Sequence, residues 1–365
     1  ITAPLQSGIY NTDSITRQIE AELAKMPEVK YYSSNIGKGN PRIYYNVIQR
    51  NEQADFAQIF VQLHPDIRPD EKLNIIKELR RRWTPYPGAE VKVVNFEQGI
   101  PQIAPIEVRL LGDNLDTLRQ LASEVENMLV ANPGAIYVSN PVKNNKTDIR
   151  IHIDKEKAQS LGVPTINISQ TVRMALAGIP IGTYTDKEKN NNDYTIVVTK
   201  PRESYPDLSV FRNLFVNASD GRAIPIDQIT DIGFETSAQT INHLNKVRTV
   251  SVTAFIREGH LNSAVINDVV KALEQKKFPK GYSFTMGGEV EGREESFKGF
   301  GYIILVTVFL FIAVLVLQFR TFKSTLIVLS VIPLGIVGAV LALLVTGNSL
   351  SFVATVGIVA LAGIE

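Results

Sequence analysis

The residues between Ser33 and Asn46, SSNIGKGNPRIYYN, have a composition that a plain connector does not need. Gly37 and Gly39 permit backbone conformations that other residues avoid, Pro41 forbids most of them, and the three enclose Lys38 and Asn40. Tyr31, Tyr32, Tyr44 and Tyr45 flank the core from Gly37 to Pro41, with Ser33 and Ile36 before it. Two readings fit this pattern. One is a hairpin connection carrying exposed tyrosines; the other is a mobile rim of a ligand cleft, where aromatic faces receive amphiphilic molecules.

Signatures of bond-making chemistry are scarce elsewhere. The chain has no Gly-rich phosphate loop ending in Lys-Ser/Thr, no His-Glu-x-x-His and no Gly-x-Ser-x-Gly, so it does not read as an enzyme and implies no cofactor. His64, His152, His243 and His260 lie far apart beside different elements. Met26, Met128, Met174 and Met286 are the methionines, three of them in helical stretches, where packing is their ordinary role. Lys and Arg total 38 against 37 Asp and Glu, which gives no electrostatic footprint for nucleic acid. Zero Cys excludes disulfides and thiolate metal sites, and suits an oxidising extracytoplasmic space.

Apolar periodicity shows what would position these residues. Amphipathic helices are expected over residues 13–25, 70–82, 115–131 and 263–276, each followed by a breaker, Pro27, Pro87, Pro133 or Pro279. Thr12 or Asp13 and Asn262 or Ser263 are candidate caps for the first and last. The strand-like runs ITAPL, FAQIFVQL, IEVRLLG and VRTVSVTAFI precede the helices, making four β-α-β units. The first two units adjoin, whereas the last two are separated by an insert with its own helices at IDKEKAQSLGVP and TINISQTVRMALAG. A strand at DYTIVVT, a hairpin turning at Asp220-Gly221 and a polar tip TYTDKEKNNND complete the insert. The fold class is therefore α+β: two ferredoxin-like sandwiches, the second interrupted by an inserted α+β domain, then a transmembrane helical part.

That last part is inferred from the tail. Residues 302–319 are apolar except for Thr307 and Gln318, a second apolar run covers 325–345, and a third begins near Phe352. Arg320 and Lys323 between the first two runs put that loop on the cytoplasmic side and the large polar region on the other. Pro333, Gly335 and Gly338 are expected to bend the second span and let helices approach closely. The third run stops at Glu365, so the chain reads as part of a longer protein; Glu365 is the one ionisable group within an apolar run.

IDKEKAQSLGVP, DGRAIPI, GGEVEGREESFKGFG running into a span, and VIPLGIVGA together resemble the second half of the resistance-nodulation-division (RND) efflux permeases, in order along the whole chain. The resemblance implies a first porter subdomain at 1–105, a second at 106–147 with 247–290, a docking domain at 148–246 and transmembrane helices at 300–365. It implies a proton-driven exporter of small amphiphilic compounds in the bacterial inner membrane, with the polar region in the periplasm. A homotrimer in contact with membrane lipid would work with a periplasmic adaptor and an outer-membrane channel, and the docking tip would include Ser219, Asp220, Gly221 and Lys189. SNIGKGNPR falls where the family has its switch loop; Ile36 and Lys38 stand where large aromatics often occur, which favours a polar or anionic substrate. The family's intramembrane Asp pair lies in its first half, so no residue here takes the proton-carrying role. Two alternatives remain, heavy-metal cation efflux on the same fold and a membrane-anchored binding module without transport.

Overall fold

Leu118, Leu121, Ala122, Val125 and Leu129 recur at helical spacing, and in the computed structural model of the chain all five are buried along one helix, α3 (Leu115–Ala131). Asn114 starts it by accepting hydrogen bonds from the Asp116 and Thr117 amides at 2.9 and 3.0 Å. The structure describes residues 1–42, 44, 46–96, 101–187, 192–199, 211, 213–346, 354–358 and 360. They form two compact units, one of residues 1–145 with 238–365, the other of residues 146–237.

Among the described residues the first unit holds two sheets. In one, β1 (Val29–Ile36) runs antiparallel to β2 (Ala57–Leu63), while Thr2 bridges to Phe56 on one side and Glu90 on the other. Helices α1 (Ile9–Leu23) and α2 (Pro69–Trp83) cover it, packing Ile15, Ile19 and Leu23 against Leu79, Trp83 and Val91. The expected ITAPL strand shrinks to the bridges at Thr2. Pro4 has no N–H to donate and Gln6 takes φ +67°, so the ladder cannot run on.

In the other sheet β3 (Ile106–Leu111) is the central strand. β13 (Ser283–Gly288) pairs with one edge of it and β12 (Val247–Ile256) with the other, and β12 pairs in turn with β4 (Ala135–Ser139) and β11 (Asn242–Leu244). Ile106, Val108 and Leu110 alternate onto the face covered by α3 and α6 (Asn262–Gln275), where none is exposed. Each of the two sheets thus repeats one ferredoxin-like order, the first in reduced form.

Two expected helix caps are corrected. Gly8, not Thr12 or Asp13, precedes α1, which begins one turn earlier than the periodicity suggests. Thr12 lies inside the helix, fully buried, and its hydroxyl donates to the Ala54 carbonyl at 2.7 Å. Leu261 occupies the cap of α6, and the Asn262 side chain instead donates to Glu289 at 3.0 Å. In both cases a tertiary partner outcompetes the local amide.

Arg109, on the opposite face of β3 from the core, joins the sheet to the helix that succeeds β13, α7 (Glu289–Phe297). Its guanidinium donates to Glu107 at 2.9 Å and to Glu291, in α7, at 2.7 Å. Gly287 makes room, since a Cβ there would lie 2.6 Å from the Glu107 carboxylate and 2.8 Å from the Arg109 guanidinium carbon. The Arg109 hydrogen bond holds the Glu291 carboxyl below the usual carboxylate range against the opposing effect of burial. Beyond Gly299 the chain enters α8 (Phe300–Phe319), then α9 (Phe322–Leu329) and α10 (Val331–Thr346).

Phe322–Thr346 is long and apolar enough to cross a membrane, and Leu305–Phe319 is a shorter apolar helical stretch. The helix breaks at Ser330, three residues before Pro333, which has no N–H for the Leu329 carbonyl. Glu365 and the start of the third apolar run lie outside the described residues.

In the second unit β5 (Lys146–Ile153) pairs with β10 (Thr230–Ser237), β6 (Ile179–Asp186) with β7 (Asn192–Val198), and β8 (Phe215–Asn217) with β9 (Ala223–Pro225). Helices α4 (Lys155–Ser160) and α5 (Thr165–Leu176) close a core of Ile168, Val216, Ile226 and Ile229. Asp154 caps α4, accepting from the Lys157 amide at 3.0 Å. Asp220-Gly221 makes the β8–β9 turn, with Gly221 at φ +86°. Lys189 lies outside the described residues.

Leu118→Ala is expected to destabilise the first unit by about 2–5 kcal/mol, while Val130→Ala, on the exposed side of the same helix, changes stability by no more than about 0.5 kcal/mol. Denaturation midpoints of the solubilised chain would show it; equal shifts for the two would contradict the assigned core.

Candidate functional site

The Gly-rich loop is held in place rather than left free. Gly37, at φ +81°, donates its amide to the Phe56 carbonyl and accepts from the Gln53 amide, both at 2.8 Å. Gly39 passes so close to the returning chain that a Cβ would lie 2.8 Å from the Arg50 amide nitrogen, and its own N–H donates to the Arg50 carbonyl at 3.2 Å. Asn40 is buried. Its side-chain oxygen accepts from Asn35 at 2.5 Å and its backbone amide donates to Gln58 at 2.9 Å, whereas its own amide nitrogen, Nδ2, has no hydrogen-bond partner among the described residues.

Around Asn40 the fold assembles an aromatic triangle. Tyr44, Phe60 and Phe96 lie with ring centroids 5.2 to 6.4 Å apart, and Pro41, Val47 and Gln58 complete a small pocket. Of the residues expected at this site, Asn40, Pro41 and Tyr44 come together and Gly37 and Gly39 shape the approach. Tyr31, Ser33 and Lys38 lie outside the pocket, and Ile36 ends β1. Phe60 and Gln58 were visible only as strand residues. Their alternation with core-facing Ile59 and Val61 was the signal for a second, outward face.

A larger cavity, about 410 Å³, lies elsewhere in the same unit. Thr2 to Leu5, Gln53, Asp55 and Gly88 to Glu90 line one side, and Ser139 to Pro141, Asn144 and Gln239 the other. Its polar side chains are all oxygen-bearing: two carboxylates, four amides and two hydroxyls. Glu90 is paired with Lys92 at 3.1 Å; Asp55 is buried. None of the residues expected from sequence lines this cavity, because its donors are scattered through five separate stretches of chain.

One rim is fixed from behind by Glu126 of α3. It accepts from Asn140 Nδ2 at 2.9 Å and from Lys143 Nζ at 2.6 Å. Burial pushes its carboxyl up, but the Lys143 and Asn140 hydrogen bonds outweigh this and leave it below the ordinary range.

A model of the AcrB/AcrD/AcrF family matches residues 1–365. The chain belongs to this family of RND efflux permeases. It is 26% identical over 304 residues, 80% of its length, to the nickel and cobalt resistance protein CnrA of Cupriavidus metallidurans. It is 26% identical over 264 residues, 71% of its length, to the cobalt-zinc-cadmium resistance protein CzcA of the same organism. The chain spans only 28% of CnrA and 25% of CzcA. Among solved structures, an X-ray structure of a heavy metal efflux pump aligns with 100% of this chain at a TM-score of 0.76 and 19% identity, and 37% of that protein is covered. At that identity the likeness is one of fold.

Two outcomes check this geometry. Because the Glu126 carboxyl is held below its ordinary range, its tie to the rim is in place at neutral pH and is lost only in acid, as pH falls through that lowered value. Amide exchange at Val142 and Lys143, which donate to Asn140, should therefore quicken in Glu126→Gln at neutral pH, and in the parent chain only in acid. Replacing Gly37 and Gly39 together by Pro removes both amide donors and a φ that Pro cannot adopt, so the loop should open to limited proteolysis at unchanged membrane yield. Unchanged protease resistance would show that these contacts do not hold the loop.

Proposed function

We propose that the chain is the cargo-handling part of a proton-driven export pump of the bacterial inner membrane, and that its cargo is a divalent cation carried with part of its water shell. The oxygen-lined cavity carries this reading. Asp55 and Glu90 supply charge, Gln53, Asn140, Asn144 and Gln239 supply amide oxygens, and Thr2 and Ser139 supply hydroxyls. Oxygen donors suit hard and borderline cations. A transported ion must also leave, and two carboxylates on a wide cavity offer attraction without a closed coordination cage.

CnrA and CzcA support the same choice through the metals in their names, nickel and cobalt for one and cobalt, zinc and cadmium for the other. For this reason divalent cations rank ahead of the small amphiphiles that the family resemblance implies. A soft-metal route along methionines gains no support, since Met26 packs against the first core and Met128 and Met286 against the second. Export of small amphiphiles stays as the second reading on one specific observation, the aromatic triangle with, at its edge, an Asn40 amide that has no partner among the described residues.

The assembly belongs to the same proposal. Residues 1–105 and 106–147 with 247–290 act as two porter subdomains, 148–246 as a docking domain and 300–365 as membrane helices, in a homotrimer served by a periplasmic adaptor and an outer-membrane channel. Ser219, Asp220 and Gly221 are exposed on the β8–β9 turn, which suits a docking tip.

Deleting the gene is expected to sensitise cells to cobalt, nickel or zinc salts and not to detergents, dyes or bile salts. Sensitivity to the organic compounds alone would promote the second reading. Because the chain has no Cys, Ser219→Cys gives a single crosslinking handle; it should capture the adaptor or channel, and capture of cytoplasmic proteins would contradict the topology.

A further inference from the structure

The two walls of the large cavity are joined by contacts that packing alone does not require. On one wall the chain runs from Glu90 to Val93; on the other, β4 runs from Tyr137 to Ser139. The Val93 amide donates to the Tyr137 hydroxyl at 3.1 Å, and the Val93 carbonyl accepts from Arg80 Nε at 2.9 Å. The Arg80 guanidinium lies 5.5 Å from the centroid of the Tyr137 ring and forms an ion pair with Glu258, in the loop after β12. Arg80 and Glu258 side chains are only 10% and 15% exposed, so each needs the other: a buried charge without its partner is strongly destabilising.

Tyr137 reaches this position through an unusual backbone. Its φ is +56°, a region that a bulky residue avoids, and the β4–β12 register shifts between Thr253 and Phe255 beside it. The ring is braced edge-on by Phe255 at 6.2 Å. Strain of this kind persists only where surrounding contacts hold it in place. Here the contacts are those to Arg80 and Val93, on the far wall.

We propose that Tyr137, Arg80 and Glu258 form a latch that sets the spacing of the two cavity walls, making them positioning residues for the cation. The spacing is a property of the fold; its use in cation binding rests on the cargo reading given above. Tyr137→Phe removes the hydroxyl that Val93 needs while keeping the ring over Arg80. Glu258→Gln keeps the shape and removes the charge.

Nitroxide labels on cysteines placed at Glu52, next to the lining residue Gln53, and at Asn144, on the lining opposite, would report the spacing in the full chain, which has no Cys of its own. Pulsed dipolar spectroscopy on the parent background should give one distance population. Both variants should add a longer one, with a thermal midpoint close to the parent's for Tyr137→Phe. Calorimetric titration of the unlabelled chain with Co²⁺ supplies the second readout, and Asp55→Asn, which leaves the latch intact, serves as its control. Weaker Co²⁺ binding in Tyr137→Phe together with the longer distance supports the latch as a positioning device. A distance distribution identical to the parent's in Tyr137→Phe overturns it, even if Asp55→Asn loses Co²⁺. A longer distance with Co²⁺ binding unmoved in every variant, Asp55→Asn included, keeps the latch as a spacer and overturns the cargo reading instead.

Discussion

The pairing of β3 with β12 is the constraint on which the rest of the first unit depends. Six residue pairs, from Leu111 with Thr249 to Ile106 with Ala254, join segments that lie on either side of the whole second unit in sequence. Closing so long a loop costs only logarithmically more than closing a short one, and the apolar alternation of both strands offsets it beneath α3 and α6. β13 can add only to the edge of β3 that this pair leaves open, and β4 only to the far edge of β12. The cavity rim at Ser139 and Asn140 is set by where β4 ends.

Helical periodicity and strand alternation made α3 and β12 legible to the residue, because their apolar faces are set by burial within one core and their ends by Asn114 and by turns. The misplaced caps show where local reading stops. Thr12 is a good cap by type, yet Ala54 offers it a buried acceptor that no short window contains. The edge strand at ITAPL failed for the same kind of reason, since Pro4 and the left-handed Gln6 limit a ladder that composition alone would extend.

The candidate sites divide along the same line. A local cluster of Gly, Asn, Pro and Tyr was conspicuous, and the fold does bring Asn40, Pro41 and Tyr44 together. The oxygen-lined cavity was not visible, because Asp55, Glu90 and Asn144 are ordinary surface types with no shared motif. Only the ferredoxin-like order brings them around one space. Tyr137 is equally silent in sequence, since nothing in AIYVS announces a left-handed φ.

The join at Arg109 has a mechanical meaning. Nine residues of α7 make a rod of about 14 Å, pinned to the sheet by Glu291 at one end and ending near Gly299, at φ +82°, on the other. The left-handed turn at Gly299 sets the direction in which the next helix leaves that rod. A displacement of the apolar helix α8 along its axis would pull on Arg109 through α7. The load then enters β3, whose two neighbours, β12 and β13, share it in shear along the full length of both ladders, the arrangement in which a sheet moves as a body before any strand yields.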